Sequence, residues 1–201
     1  MIDIHAVIEL HRTTVERWHL NGLDNPYDDF LQLVCQQHQR NYLLWHEEDM
    51  ARSPDASDAT LAAVKRRIDK LNQERNDWIE KLDDALVRKM ESWGSRPRPR
   101  AKLNTETPGS TIDRLSILAL RMYHMEEQAG RSDATPEHRA RASEKLAILR
   151  VQLADLSKAL GELLGDIAAG RKRLKAYRQF KMYNDLAFNP CLYAAAQKPA
   201  A

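Results

Sequence analysis

The stretch TIDRLSILALRMYHMEEQAG, Thr111 to Gly130, decides the fold class. Its middle is apolar on nearly every side, and a helix of that kind must be surrounded by other elements rather than lie on a surface. Everything around it reads as helix as well. Before it, Ile4, Val7, Ile8, Val15 and Trp18 form a helical stripe over about residues 4–20. A second stripe, Phe30, Leu31, Val34, His38, Tyr42, Trp45 and Asp49, predicts a helix from Tyr27 to about Ala51. A third, longer one follows Ser57 or Asp58 as N-cap and runs to about Trp93 through Leu61, Val64, Ile68, Leu71, Trp78, Leu82, Leu86 and Met90. After Gly130, a near-heptad seam of Leu146, Leu149, Leu153, Leu156, Leu160, Leu163 and Ile167 predicts a fifth pattern over about residues 137–183, with a break near Gly170. No strand-like alternation of useful length is present. The expected fold is an all-α bundle of about five to six helices, several of them long. It forms a single helical domain over residues 1–201, with a linker at 94–110, an irregular C-terminal tail and fraying over 190–201.

The bulk composition narrows the function classes. With 31 basic and 29 acidic residues in 201, the net charge is +2, which speaks against a general polyanion binder, so nucleic acid is an unlikely partner. Two cysteines, Cys35 and Cys191, require no disulfide framework. The N-terminus lacks a signal-peptide apolar stretch, and no apolar run approaches the roughly 20 residues that span a bilayer. The expectation is a soluble, cytoplasmic protein without a membrane partner.

Two helices place polar residues where apolar ones are expected. Asn41, Trp45, Glu48 and Arg52 share one face of the second helix, with Asp49 one turn from Trp45. On the third, Asp69, Asn72 and Asn76 form a row beside the apolar row into which Arg75 is inserted. Buried charges need partners. The cluster is therefore either an ion-pair network that fixes helix register or a ligand site. If a divalent cation is bound, Glu48, Asp49 and Asp69 are its candidate ligands, because facing carboxylates suit oxygen coordination. The pairs Glu47–Glu48 and Glu74–Asp77 are also similar to the two acidic halves of the all-α, magnesium-dependent nucleotide pyrophosphatases, although the third acidic position falls on Ala51. No catalytic residue is assigned. The seven histidines have no zinc spacing, and no phosphate-binding glycine loop or nucleophile elbow appears.

The junction NTETPGSTIDRLS, Asn104 to Ser116, is rich in hydroxyls. Ser110 with Asp113 reads as a capping box. A helix start also favours anions, so Thr105, Thr107, Ser110 and Arg114 are candidate phosphate contacts. RPRPRAK reads as a solvated, extended linker. In RKRLKAYRQFK, residues 171–181, a helix would let the aromatics face the core while the cations project together.

Four blocks, LLWHEEDMAR, IDKLNQERND, NTETPGSTIDRLSILALRMYHM and YRQFKMYNDLAFNP, together resemble a bacterial family known as domain of unknown function 4254, over roughly residues 30–193. The resemblance implies a soluble helical protein associated with surface-polysaccharide gene neighbourhoods, and it carries no reaction, cofactor or catalytic residue. Two function classes stand side by side. One is a bundle that binds or acts on a phosphorylated metabolite such as a nucleotide or nucleotide-sugar. The other is a helical interaction module whose seam, Leu146 to Ile167, packs on a second copy in a homodimer, on a protein partner, or within its own chain.

Overall fold

The structure is a computed structural model of the chain and describes residues 2–180, 182 and 185–192. Five long helices build it: α1 (Ile4–Asn21), α2 (Asp29–Ala51), α3 (Asp58–Ser92), α4 (Pro108–Gly130) and α5 (Pro136–Ala168). Their starts follow local chemistry. The side chains of Asp3, Ser57 and Thr135 accept the N–H of Ala6, Thr60 and His138, satisfying donors that have no partner within the helix. Proline at the first positions of α4 and α5 lacks the N–H that would be orphaned there.

Helix α4 packs against all four other helices, as its apolar girdle requires, and α2 also lies along α3. Ile112, Leu115, Leu118 and Leu120 of α4 are buried. Ile112, Leu115 and Leu120 join one core with Val7 and Trp18 of α1, Val34 and Tyr42 of α2, Leu82 and Leu86 of α3, and Leu160 and Leu164 of α5. Burying each such side chain stabilises the fold by roughly 1.5–3 kcal/mol relative to leaving it exposed. The seam on α5 turns inward: Leu146, Leu160, Leu163 and Ile167 are buried, while Ile148 and Val151, outside the seam, stay exposed.

Three expectations are corrected. The cap of α4 is Thr107, whose hydroxyl accepts the Ser110 N–H at 3.1 Å while the Ser110 hydroxyl accepts the Thr107 N–H at 3.1 Å. The box is therefore one turn earlier than Ser110/Asp113, and Asp113 is free to point into the core. Residues 94–107 are also tied down. Arg98 N–H donates to the Gly170 carbonyl at 2.9 Å, the Ser95 hydroxyl donates to the Ile167 carbonyl at 3.0 Å, and β1 (Lys102–Leu103) pairs in parallel with β2 (Lys172–Arg173). Finally, helix α5 stops at Ala168 and does not resume through residue 180. Gly170 sits at φ +71°, a conformation that glycine adopts without strain, and the chain then runs extended. Arg178 anchors this segment to Glu80 and Asp84 of α3 at 3.1 and 2.8 Å. Lys181 and residues 193–201, where much of the fraying was expected, lie outside the described residues.

Candidate binding groove

Asp113 is the hub of a buried polar network. Its side chain is 5% exposed, and Arg75 of α3 approaches it in a fork, Nε to Oδ1 at 2.7 Å and an Nη to Oδ2 at 2.5 Å. From α2, Gln37 and Asn41 donate to the same Oδ1 at 2.6 and 2.9 Å. The Asp113 hydrogen bond raises the Arg75 pKa further, against the desolvation that opposes it. Asn41 also donates to Ser116 Oγ at 2.8 Å. Ser116 bonds His38 Nδ1 at 2.6 Å, and His38 Nε2–H donates to the His11 carbonyl at 3.1 Å. That last bond sets the His38 tautomer, with the Ser116 hydroxyl donating to Nδ1. Burial holds the His38 pKa down at about 3, so the ring is neutral. The apolar row of α3 thus contains an arginine because α4 presents a carboxylate opposite it.

The network opens on one side into a groove between α2, α3 and α4. Asn41, Leu44, Trp45, Glu48, Asp49, Arg52, Asn72, Arg75, Ile117, Leu120 and Arg121 line it. Six of the twelve residues expected at a site therefore converge here: Trp45, Glu48, Asp49, Arg52, Asn72 and Arg75. Arg52 pairs with Glu48 at 3.0 Å and lies 3.9 Å from Asp49, so one guanidinium serves two carboxylates and the three groups carry one net negative charge. Arg121 was not anticipated. It is exposed and, among the described residues, has no hydrogen-bond or ion-pair partner. Its signal in the sequence is that of Arg75, one cation set into an otherwise apolar run, four residues after Ile117 and so on the same face.

The other six expected residues lie elsewhere. Asp69 pairs with Lys65 on the exposed side of α3, and Asn76 is half-buried outside the groove lining. Arg114 pairs with Glu106 at 3.3 Å. Thr105, Thr107 and Ser110 stand at the start of α4, where the protein supplies its own anion. The Gly109 N–H donates to Asp83 Oδ1 at 2.7 Å, and the Ser110 N–H is taken by Thr107. Burial pushes the Asp83 carboxyl up, against the Thr107 hydroxyl and the Gly109 N–H that hold it down. Glycine is required at 109 because a Cβ there would lie 2.7 Å from Asp83 Oδ1 and 2.8 Å from the Ile79 carbonyl.

The carboxylates do not gather. Glu47 is held by Arg67 at 2.6 Å and Glu74 by Arg40 at 3.1 Å, so the two acidic halves are each bound to an arginine. Among the described residues no group of three His, Cys, Asp or Glu side chains is placed to hold a metal ion, Glu48, Asp49 and Asp69 included. Trp45 also belongs to an aromatic cluster whose histidines are not part of the groove lining. The indole stacks on His124 at 4.7 Å, and His124 meets His19 at 5.3 Å. His46 lies 5.2 Å from His19, and burial together with its two imidazole neighbours keeps its pKa below the ordinary value.

Fold and groove together define an all-helical bundle protein with a polar core network that reaches the surface beside a tryptophan. The profile of the DUF4254 family, proteins of unknown function, matches residues 31–176, and the chain belongs to that family. The match covers α2, α3 and α4, the three helices that form the groove, together with α5. No curated protein and no solved structure matches the chain. No helix among the described residues is long and apolar enough to cross a membrane.

Proposed function

We propose that the groove binds a phosphorylated metabolite of the nucleotide or nucleotide-sugar class. The observation that carries this reading is Arg121, a guanidinium without a carboxylate partner, lining the same groove as the Trp45 indole. A planar or sugar ring packs on an indole, and a phosphate takes a bidentate guanidinium. Glu48, Asp49 and Asn72 line the same groove and are suited to ribose or sugar hydroxyls, or to a phosphate-bound magnesium ion that keeps most of its waters. Such metabolites and two free thiols fit a cytoplasmic location. The test is a thermal-shift panel of nucleotides, nucleotide-sugars and sugar phosphates, with and without magnesium. At a hundredfold excess over Kd, a groove ligand stabilises by about 2.7 kcal/mol. Arg121→Ala removes the shift while leaving the unliganded melting temperature nearly unchanged, since Arg121 is exposed and makes no hydrogen bond or ion pair among the described residues. If no compound in the panel shifts the wild-type protein, or if Arg121→Ala responds like wild type, the reading fails.

A second reading is supported by the exposed Ile148 and Val151 and by the apolar hollow of Met125, His124, Ile148 and Leu149 next to the groove. These suit a partner helix or a second copy. A light-scattering mass that doubles with concentration, and returns to the monomer value in Ile148→Lys, supports that reading.

A further inference from the structure

The two basic stretches, RPRPRAK and RKRLK, are separated in the chain by α4 and α5, and the fold brings them side by side. Arg98 N–H donates to the Gly170 carbonyl at 2.9 Å, and β1 pairs with β2 so that Lys102 faces Lys172 and Leu103 faces Arg173. Beyond β2 the chain runs extended and its exposure alternates. Arg171, Arg173, Lys175 and Tyr177 are exposed, while Lys172, Leu174 and Ala176 are half-buried. A period of two places the first four on one outward face. Leu103 shares that face as the cross-strand partner of Arg173, and it too is exposed. A helix here would turn Tyr177 inward. The extended chain sets it outward instead, its ring 4.9 Å from Lys175 Nζ, and is followed by Phe180, 88% exposed.

The charge at this end of the bundle is not balanced. Among the described residues, the side chains of Arg96, Arg98, Arg100, Lys102, Arg173 and Lys175 have no carboxylate partner. Asp166 is taken by Arg171 and Lys172, Glu106 by Arg114, and Glu80 and Asp84 by Arg178. Glu91 lines a hollow with Arg96 and offsets one cation at most. The whole chain carries +2, so without these six cations it carries −4. Positive charge that the composition averages away is gathered on the loops where α3 and α5 end and α4 begins.

We propose that this ribbon docks on an anionic lipid bilayer, the cations meeting phosphate headgroups while Leu103, Tyr177 and Phe180 enter the interface. A plane touches only one end of the bundle. Charges on the far half, where α5 alone is about 50 Å long, lie several screening lengths away, since that length is about 8 Å at physiological salt. The apolar side chains choose among polyanions. Leucine has no ring on which a base can stack, whereas Leu, Tyr and Phe set among cations suit the headgroup boundary. No described helix is able to cross a membrane, and surface docking requires none.

The test is co-sedimentation of the full chain with vesicles of phosphatidylglycerol in phosphatidylcholine, against vesicles of phosphatidylcholine alone, with a single-stranded oligonucleotide titrated separately. Binding to the anionic vesicles and not to the neutral ones is expected, at least tenfold weaker when salt rises from about 0.1 M to about 0.5 M. Each Lys or Arg at an anionic surface strengthens binding about fivefold, so Arg98→Ala/Arg100→Ala/Arg173→Ala should lose about a hundredfold. Leu103→Ser/Tyr177→Ser keeps every cation and should lose about tenfold on the same vesicles. The proposal is overturned if the protein stays in the supernatant with anionic vesicles, if neutral vesicles bind it equally, or if either variant binds like wild type. It is overturned as well if the oligonucleotide binds more tightly than the anionic vesicles at the same salt, which would make the ribbon a nucleic-acid surface. Should one variant fail to fold, the other decides together with the salt dependence.

Discussion

Asp113→Ala is the sharpest probe of the network. The substitution leaves three donors on two helices without their acceptor: the Gln37 and Asn41 amides of α2 and the Arg75 guanidinium of α3, all now directed at Asp113. Removing one partner of a buried ion pair costs about 3–5 kcal/mol, because the other charge stays behind unpaired. The Arg75 side chain keeps 27% of its surface in water, which places the expected loss near the lower end of that range, about 3 kcal/mol. That is a large part of the stability of an ordinary domain. Asp113→Asn preserves the shape but offers its own NH₂ to an arginine, and should cost about 2 kcal/mol. The double variant Asp113→Leu/Arg75→Met replaces both polar groups with apolar ones. It should lose less than the sum of Asp113→Leu and Arg75→Met measured singly, with a coupling of at least about 1–2 kcal/mol. Urea unfolding followed by circular dichroism, with an unchanged m-value, reads all of these. An Asp113→Ala loss under about 1 kcal/mol, or additive single losses, would refute the claim that Asp113 holds α2, α3 and α4 together.

Further outcomes follow from the same contacts. His11, His38 and His46 are all held neutral below their ordinary pKa, whereas in the unfolded chain they titrate near 6.5. Their contribution is therefore complete above about pH 7. It is lost as pH falls through 6 and toward 3, with a slope of up to about 1.4 kcal/mol per pH unit for each ring, and urea midpoints that stay level from pH 7 to 5 would contradict this. Thr107→Ala should cost about 1 kcal/mol by unmaking the α4 cap, measured by thermal unfolding. Gly109→Ala should cost about 1–3 kcal/mol, because its Cβ collides with Asp83 and the Ile79 carbonyl rather than with a flexible chain end. At Gly170, alanine would be strained by the positive φ and would bring its Cβ to 2.4 Å from the Arg96 carbonyl. Hydrogen exchange should then show the Arg98 amide unprotected.

The sequence by itself determined the five helical segments as far as Gly170, though not that the chain beyond it runs extended, and which side of each helix carries polar groups. Periodicity near 3.6 residues is a local property, so the face shared by Trp45, Glu48 and Arg52 was readable from spacing alone, as was the insertion of Arg75 into an apolar row. Chain punctuation was readable for the same reason, in the cap at Ser57 and the break at Gly170. Pairing between helices was not. Asp113, three residues after Ser110, has the local signature of a cap partner, and only the approach of α3 assigns it to Arg75, 38 residues away in the chain. Likewise the start of α4 reads locally as an open anion site, until the fold places Asp83 on its Gly109 N–H. The physical reason is common to both. A helix start or a helix face specifies what chemistry it requires within a few ångströms, whereas the group that meets the requirement depends on the rotation and register of another helix, which packing of the whole core decides.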